Sequence, residues 1–275
     1  MQWSRVKTVL IFLLLAVDVF LLFYIGAHDV AARRRSAEEA DNARAVLDSR
    51  GVTLPDGMDL TEEEELVLYA GRRDVEQEGR CAEAWLGETQ TSQSESGVQY
   101  LSDRGMLEWS ADGRLWGEVT GALEQAPTTE LAQRMAEQFL QEGGVDCSGC
   151  TVTVAAQGEN VQVEFTAVQD GRTVFNQRLS LLLKIDQSVE ISGRWFFAEQ
   201  ALTQEAFAAP YSKVDVLLTA TADWRDVEIE GMEPGLMLVR QSGSRVVLQP
   251  VWHIWTAQEE IYLDAESNQP VDMLA

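Results

Sequence analysis

Residues 128–199 read TTELAQRMAEQFLQEGGVDCSGCTVTVAAQGENVQVEFTAVQDGRTVFNQRLSLLLKIDQSVEISGRWFFAE. The period of the apolar residues changes once within this stretch. Leu131, Met135 and Phe139, with Ala132 and Ala136 beside them, recur at helical spacing over residues 128–142. Thr128 or Thr129 can cap such a helix, and Gly143-Gly144 stops it. Four β-rich runs follow: TVTVAA, VQVEFTAV, TVFNQRLSLLLKI and VEISGRWFFAE. Turns are expected at Gly158-Glu159-Asn160 and Asp170-Gly171. One helix followed by an antiparallel sheet is the expected unit, with the helix covering one sheet face.

Toward the C-terminus the layout recurs loosely. Residues 211–222 are helix-like, and DVEIEG, LMLVRQ, RVVLQPVWHIWTA and EIYLDA then read as four strands. Gly171-Arg172-Thr173-Val174-Phe175 parallels Ser244-Arg245-Val246-Val247-Leu248, each leading into the longest strand of its unit. The expected fold class is α+β, with two α-ββββ units in the C-terminal half.

Toward the N-terminus, LVLYAG, CAEAWLG, GVQYLSD, GMLEWSA and RLWGEVTG read as strands, with residues 90–97 (QTSQSESG) as a polar loop. The acidic run DLTEEEE (59–65) lacks the spacing of a calcium loop; Thr61 with Glu64 reads as a capping box. Residues 33–50 favour helix, with Gly51 as its C-cap and Pro55-Asp56-Gly57 as a turn.

Residues 8–27, TVLIFLLLAVDVFLLFYIGA, are nearly all apolar over the ~20 residues that a membrane-crossing helix needs. A cleaved signal peptide would have a core of only about 7–15 apolar residues. Basic residues flank both ends, Arg5 and Lys7 before and Arg33 to Arg35 after, so charge alone leaves the orientation open. Asp18 lies near mid-span, where an ionisable side chain costs at least about 2.5–3.5 kcal/mol and commonly faces another helix. Tolerance through a protonated carboxyl is the competing reading. The expected organisation is a tail (1–7), a transmembrane helix (8–27), a juxtamembrane helix and linker (28–58), a first α+β subdomain (59–127) and two further α+β units (128–209 and 210–275).

The chain has 275 residues, 45% of them hydrophobic, with 21 Lys+Arg against 45 Asp+Glu and a formal charge of −24. So acidic a surface repels phosphate backbones and argues against nucleic-acid binding. Two histidines, His28 and His253, and three cysteines, Cys81, Cys147 and Cys150, are few ligands for a zinc enzyme or a haem protein. No nucleophile–base motif or phosphate loop is present, so no enzyme activity, cofactor or metal is expected. Cys147-Ser148-Gly149-Cys150 follows a helix and precedes a strand, whereas a thioredoxin-type pair opens a helix. A local disulfide between Cys147 and Cys150 or a pair of free thiols is expected in its place. His253, between Trp252 and Trp255 in sequence, reads as a packed or half-exposed side chain.

The N-terminal block, with Met1, Trp3, Ser4, Lys7 and Thr8 followed by Asp18, Phe20, Leu21 and Leu22, resembles the opening of the YycI family. These are single-pass regulators of the WalK (YycG) two-component sensor kinase in Gram-positive bacteria. Asp18 stands where that family's anchor carries Asn. Three later segments are similar to family segments in the same order: ARAVLDSRGVTLPDGM, DGRTVFNQRLSL and VLQPVWHIWTAQEEIYLDAESNQPV. The 90–97 loop and the C-x-x-C are departures. The resemblance implies a cytoplasmic N-terminus, an extracytoplasmic remainder related to YycH, and association with the histidine kinase and a YycH-like protein in the cell membrane. It further implies signal transduction that adjusts cell-wall metabolism through transmembrane helix contacts, for which Asp18, Phe20, Leu21 and Leu22 are the candidates. A competing reading is an anchored extracytoplasmic binding or inhibitor module, similar to PepSY or cystatin-like domains, acting on a wall polymer or enzyme.

Overall fold

A computed structural model describes residues 3–61, 64–94, 97–205, 207, 210–240 and 244–273. It is a mixed α+β protein, with few helices and a large sheet. In chain order the elements are α1 (Trp3–Ser49), β1 (Leu68–Arg72), α2 (Val75–Leu86), β2 (Gln90–Gln93), β3 (Gly97–Ser102), β4 (Gly105–Ser110), β5 (Arg114–Val119) and α3 (Thr129–Glu142). There follow β6 (Thr151–Gln157), β7 (Asn160–Gln169), β8 (Arg172–Leu183), β9 (Val189–Arg194), β10 (Thr203–Glu205), α4 (Lys213–Ala220), β11 (Ile229–Arg240), β12 (Arg245–Thr256) and β13 (Glu260–Asp264).

The chain divides into two compact units. The first comprises residues 1–64, 211–231 and 254–259. Its α1 buries Ala40, Ala43 and Leu47, a stripe at helical spacing, and packs against α4. The helix ends as expected: Gly51 takes a left-handed φ of +73°, and the Val52 N–H donates to the Leu47 carbonyl at 3.0 Å. Thr53 then forms a parallel bridge to Glu228. Ser212 and Asp215 form a reciprocal capping box on α4.

The second unit comprises residues 65–210, 232–253 and 260–275. Among the described residues the strand order is β10-β1-β12-β11-β8-β9-β5-β4-β3-β2, with β13 on β12, β7 on β8 and β6 on β7. The β6–β9 hairpins are antiparallel, as their alternation requires. β11 meets β8 in parallel, with Leu236 opposite Val174. α3 covers β6, β7 and β8, and α2 lies against α3, β3 and β4. Their buried faces include Trp85, Ala132, Ala136, Phe139 and Leu140, in a core shared with Phe165, Leu179 and Leu181.

Several expectations are corrected. Residues 81–86 are helical, not a strand, and Gly87 is the C-cap. Asp74 caps α2 by accepting from the Gln77 N–H at 2.8 Å, and Glu78, Cys81, Ala82, Trp85 and Leu86 are buried at a period of 3.6, not 2. Residues 90–93 form the edge strand β2 instead of a loop; its side chains are polar because all four are exposed. Glu95 and Ser96 lie outside the described residues. No capping box forms at Thr61. Asp59 accepts from both the N–H and the hydroxyl of Thr61, at 2.8 and 2.7 Å, while Glu64 pairs with Lys213 at 3.4 Å. Glu62 and Glu63 lie outside the described residues. The α-ββββ pattern holds for α3 with β6–β9, but among the described residues three strands follow α4, because residues 229–240 form one continuous strand through Pro234. Proline's fixed φ fits extended backbone, so it does not end the strand.

Candidate functional site

α1 is one helix of 47 residues, so the apolar stretch runs without a break into the part packed against α4. At 1.5 Å per residue its length is roughly 70 Å. Asp18, Phe20 and Leu21 are exposed on it. The side chain of Leu22, like those of residues 8–12 and 23–33, lies outside the described residues. Among the described residues, no helix is long and apolar enough to cross a membrane. Helical geometry divides the other three candidates. Asp18 and Leu21 are three positions apart and share a face, whereas Phe20, two positions from Asp18, projects from the opposite side.

Cys147 and Cys150 lie in the turn between α3 and β6, where the Cys150 N–H donates to the Cys147 carbonyl at 3.0 Å. Of the two arrangements open to them, a disulfide or free thiols, the structure has them as half-buried free thiols. Their side chains hydrogen-bond to each other, and this polarises the pair. The bond and burial push the Cys147 thiol up, while the same bond holds Cys150 below the usual thiol value against the opposing effect of burial. Cys81 is fully buried in α2, and desolvation raises its pKa strongly.

His253, on β12, stacks on Tyr262 with ring centroids 4.6 Å apart and planes 5° apart, and meets Phe175 at 4.8 Å. Glu233 approaches its Nδ1 at 3.6 Å and Glu260 its Nε2 at 3.5 Å, while the Tyr262 hydroxyl donates to Glu260 at 2.8 Å. The two ring nitrogens face different carboxylates, so this is an aromatic packing site and not a set of convergent ligands. Among the described residues, no group of three or more His, Cys, Asp or Glu could hold a metal ion.

A cleft of about 270 Å³ is lined by Val75, Val98, Trp109, Phe196, Leu238 and Val246, with Arg73 and Glu78 at its edge. Glu78 is 2% exposed. Burial raises its pKa, opposed by Arg73, whose Nε and Nη2 donate to the carboxylate at 2.5 and 2.8 Å. The remaining Arg73 donors reach the carbonyls of Ala111 at 2.5 Å and Ser110 at 2.8 Å. The guanidinium is therefore committed to the protein. Sequence reading missed this pair because Glu78 falls in the segment whose helical period was obscured by C-A-E-A-W-L.

No family model matches the chain, and no curated protein does. Among solved structures, it is similar to an uncharacterized protein from Eubacterium rectale at 11% identity and a TM-score of 0.47, over 76% of this chain and 86% of that one. It is also similar to the YpeB C-terminal domain of Bacillus megaterium at 13% identity and a TM-score of 0.36, over 74% of this chain and 97% of that one. Neither likeness carries an activity to this chain.

Proposed function

We propose that this chain is a non-enzymatic, single-pass membrane regulator of a two-component sensor histidine kinase controlling cell-wall metabolism, similar to the YycI family. Residues 8–27 form its anchor, with residues 1–7 cytoplasmic and the remainder extracytoplasmic. Asp18 and Leu21 on one face, Phe20 on the other, and Leu22 contact transmembrane helices of the kinase and of a YycH-like protein. The observation that carries the reading is the unbroken α1, which joins the segment resembling the family's anchor to a folded unit. A change in that unit can then reach the anchor through a stiff element.

The mechanism is a population shift. A helix that packs better on one kinase state biases the equilibrium by the difference in packing free energy and by nothing more. Interhelical polar contacts contribute about 0.6–2 kcal/mol, enough to change a kinase ratio several-fold. Replacing residues 8–27 by an unrelated apolar span, and separately Asp18→Leu, is expected to alter kinase output with the protein level unchanged. Unaltered output from both would overturn the contact. The apolar cleft beside Trp109 and Phe196 favours the second reading, a binding or inhibitor module, which would work on any anchor.

A further inference from the structure

We propose that Cys147 and Cys150 form an exchange-competent dithiol that is oxidised by small cationic or neutral disulfides, with Cys150 as the attacking thiol. The Cys147-to-Cys150 turn, closed by its 3.0 Å backbone hydrogen bond, holds the two Cα atoms within the separation a disulfide spans. Both thiols are free and half-buried on the same turn.

Access is built in. A hollow of about 660 Å³ beside Gln133, Glu137 and Val152 is lined by both cysteines, and a second, of about 480 Å³, reaches Cys150 from the β7–β8 side. The bond from Cys147 favours the Cys150 thiolate, the species that attacks a disulfide. Cys150 sulfur displaces one thiolate from an external disulfide RSSR and forms a mixed disulfide. Cys147 then gives up its proton, attacks the Cys150 sulfur and displaces the second thiolate. Two protein thiols and RSSR thus become one protein disulfide and two RSH.

The charge around the pair selects the co-reactant. Among the described residues lining the two hollows, the charged groups are Glu137 and Asp146. Both repel an anionic disulfide and attract a cationic one. Buried Cys81 supplies an internal standard that should remain unmodified in the folded chain.

The experiment uses the full chain in detergent, reduced and then exposed to cystamine, 2-hydroxyethyl disulfide or oxidised glutathione, with acid quenching and peptide mass mapping. Cystamine is expected to oxidise the pair roughly tenfold faster than glutathione disulfide at low salt, a gap that closes in high salt. In Cys147→Ser the new hydroxyl can still donate to Cys150, so that variant should trap a mixed disulfide on Cys150. Cys150→Ser should react at Cys147 at least about tenfold more slowly. Early-quenched wild type gives the same readout without substitution. A first adduct on Cys147, no internal disulfide while Cys81 stays protected, or thiols that react only after a chelator strips a metal would each overturn the proposal.

Discussion

The side chain of Asn176 and the backbone of Leu238 exchange two hydrogen bonds. Leu238 N–H donates to Asn176 Oδ1 at 2.7 Å, and Asn176 Nδ2 donates to the Leu238 carbonyl at 3.0 Å. Both residues are buried. The amide acts as a short piece of strand where β8 and β11 meet in parallel, two residues beyond the Leu236–Val174 bridge. Asn176→Leu would leave a buried N–H and C=O unsatisfied. The expected loss is ~2–6 kcal/mol, at about 1–3 kcal/mol per orphaned group, measured as a drop in unfolding midpoint.

Arg73 and Glu78 form a buried ion pair in the second unit. Arg73→Ala should cost about 3–5 kcal/mol, because the Glu78 carboxylate is left without its cation. Arg73→Met combined with Glu78→Leu should recover only part of this, since the Ser110 and Ala111 carbonyls lose their donor. A double variant no better than the single would show that the carbonyl contacts, and not the stranded charge, dominate.

A Cβ on Gly143 would come within 2.5–2.7 Å of the Trp85 indole. That ring is stacked on Phe139 at 4.7 Å, and its Nε1 donates to the Phe139 carbonyl at 2.8 Å. It has nowhere to retreat, so Gly143→Ala should cost about 1–3 kcal/mol through overpacking. Gly149→Ala, where nothing lies within 4 Å, should be close to neutral in the same thermal unfolding measurement.

Asp112 supplies a pH dependence. Burial raises its pKa, but the Ser110 hydroxyl, the Arg114 N–H and the guanidinium groups of Arg114 and Arg194 outweigh it and hold the carboxyl below its ordinary value. The ion-pair distances are 3.0 Å to Arg114 and 3.2 Å to Arg194. A depressed folded-state pKa gives stability that is present above the unfolded value of about 3.9 and is lost as pH falls through the folded one. Asp112→Asn should therefore lower the urea midpoint at pH 7 and converge on wild type toward pH 3. An equal deficit at both pH values would place the effect in packing.

The parts of the fold that could be read from sequence were those whose apolar period was unambiguous. α3 and β6–β9 follow directly from Leu131-to-Phe139 spacing and from alternation in VQVEF. α2 was obscured because alanines interleaved with Glu83 and Trp85 mimic a strand, although Asp74 before a helical stripe was an available signal. β2 was hidden because an edge strand with four exposed polar residues has no apolar period at all. Asn176 was quoted as part of a motif, but no local pattern can show that its amide meets a backbone 62 residues away. For the candidate contact residues, spacing alone already implied that Phe20 leaves the face of Asp18 and Leu21.

The central claim concerns what the anchor touches. The most direct measurement is in-cell photo-crosslinking from probe amino acids placed singly at Asp18 and at Phe20, two positions apart and so on opposite faces of α1, with mass spectrometric identification of the adducts. The account predicts adducts on a transmembrane helix of a sensor histidine kinase or a YycH-like protein. Adducts to lipid alone, from both positions of a normally abundant and inserted chain, would contradict it.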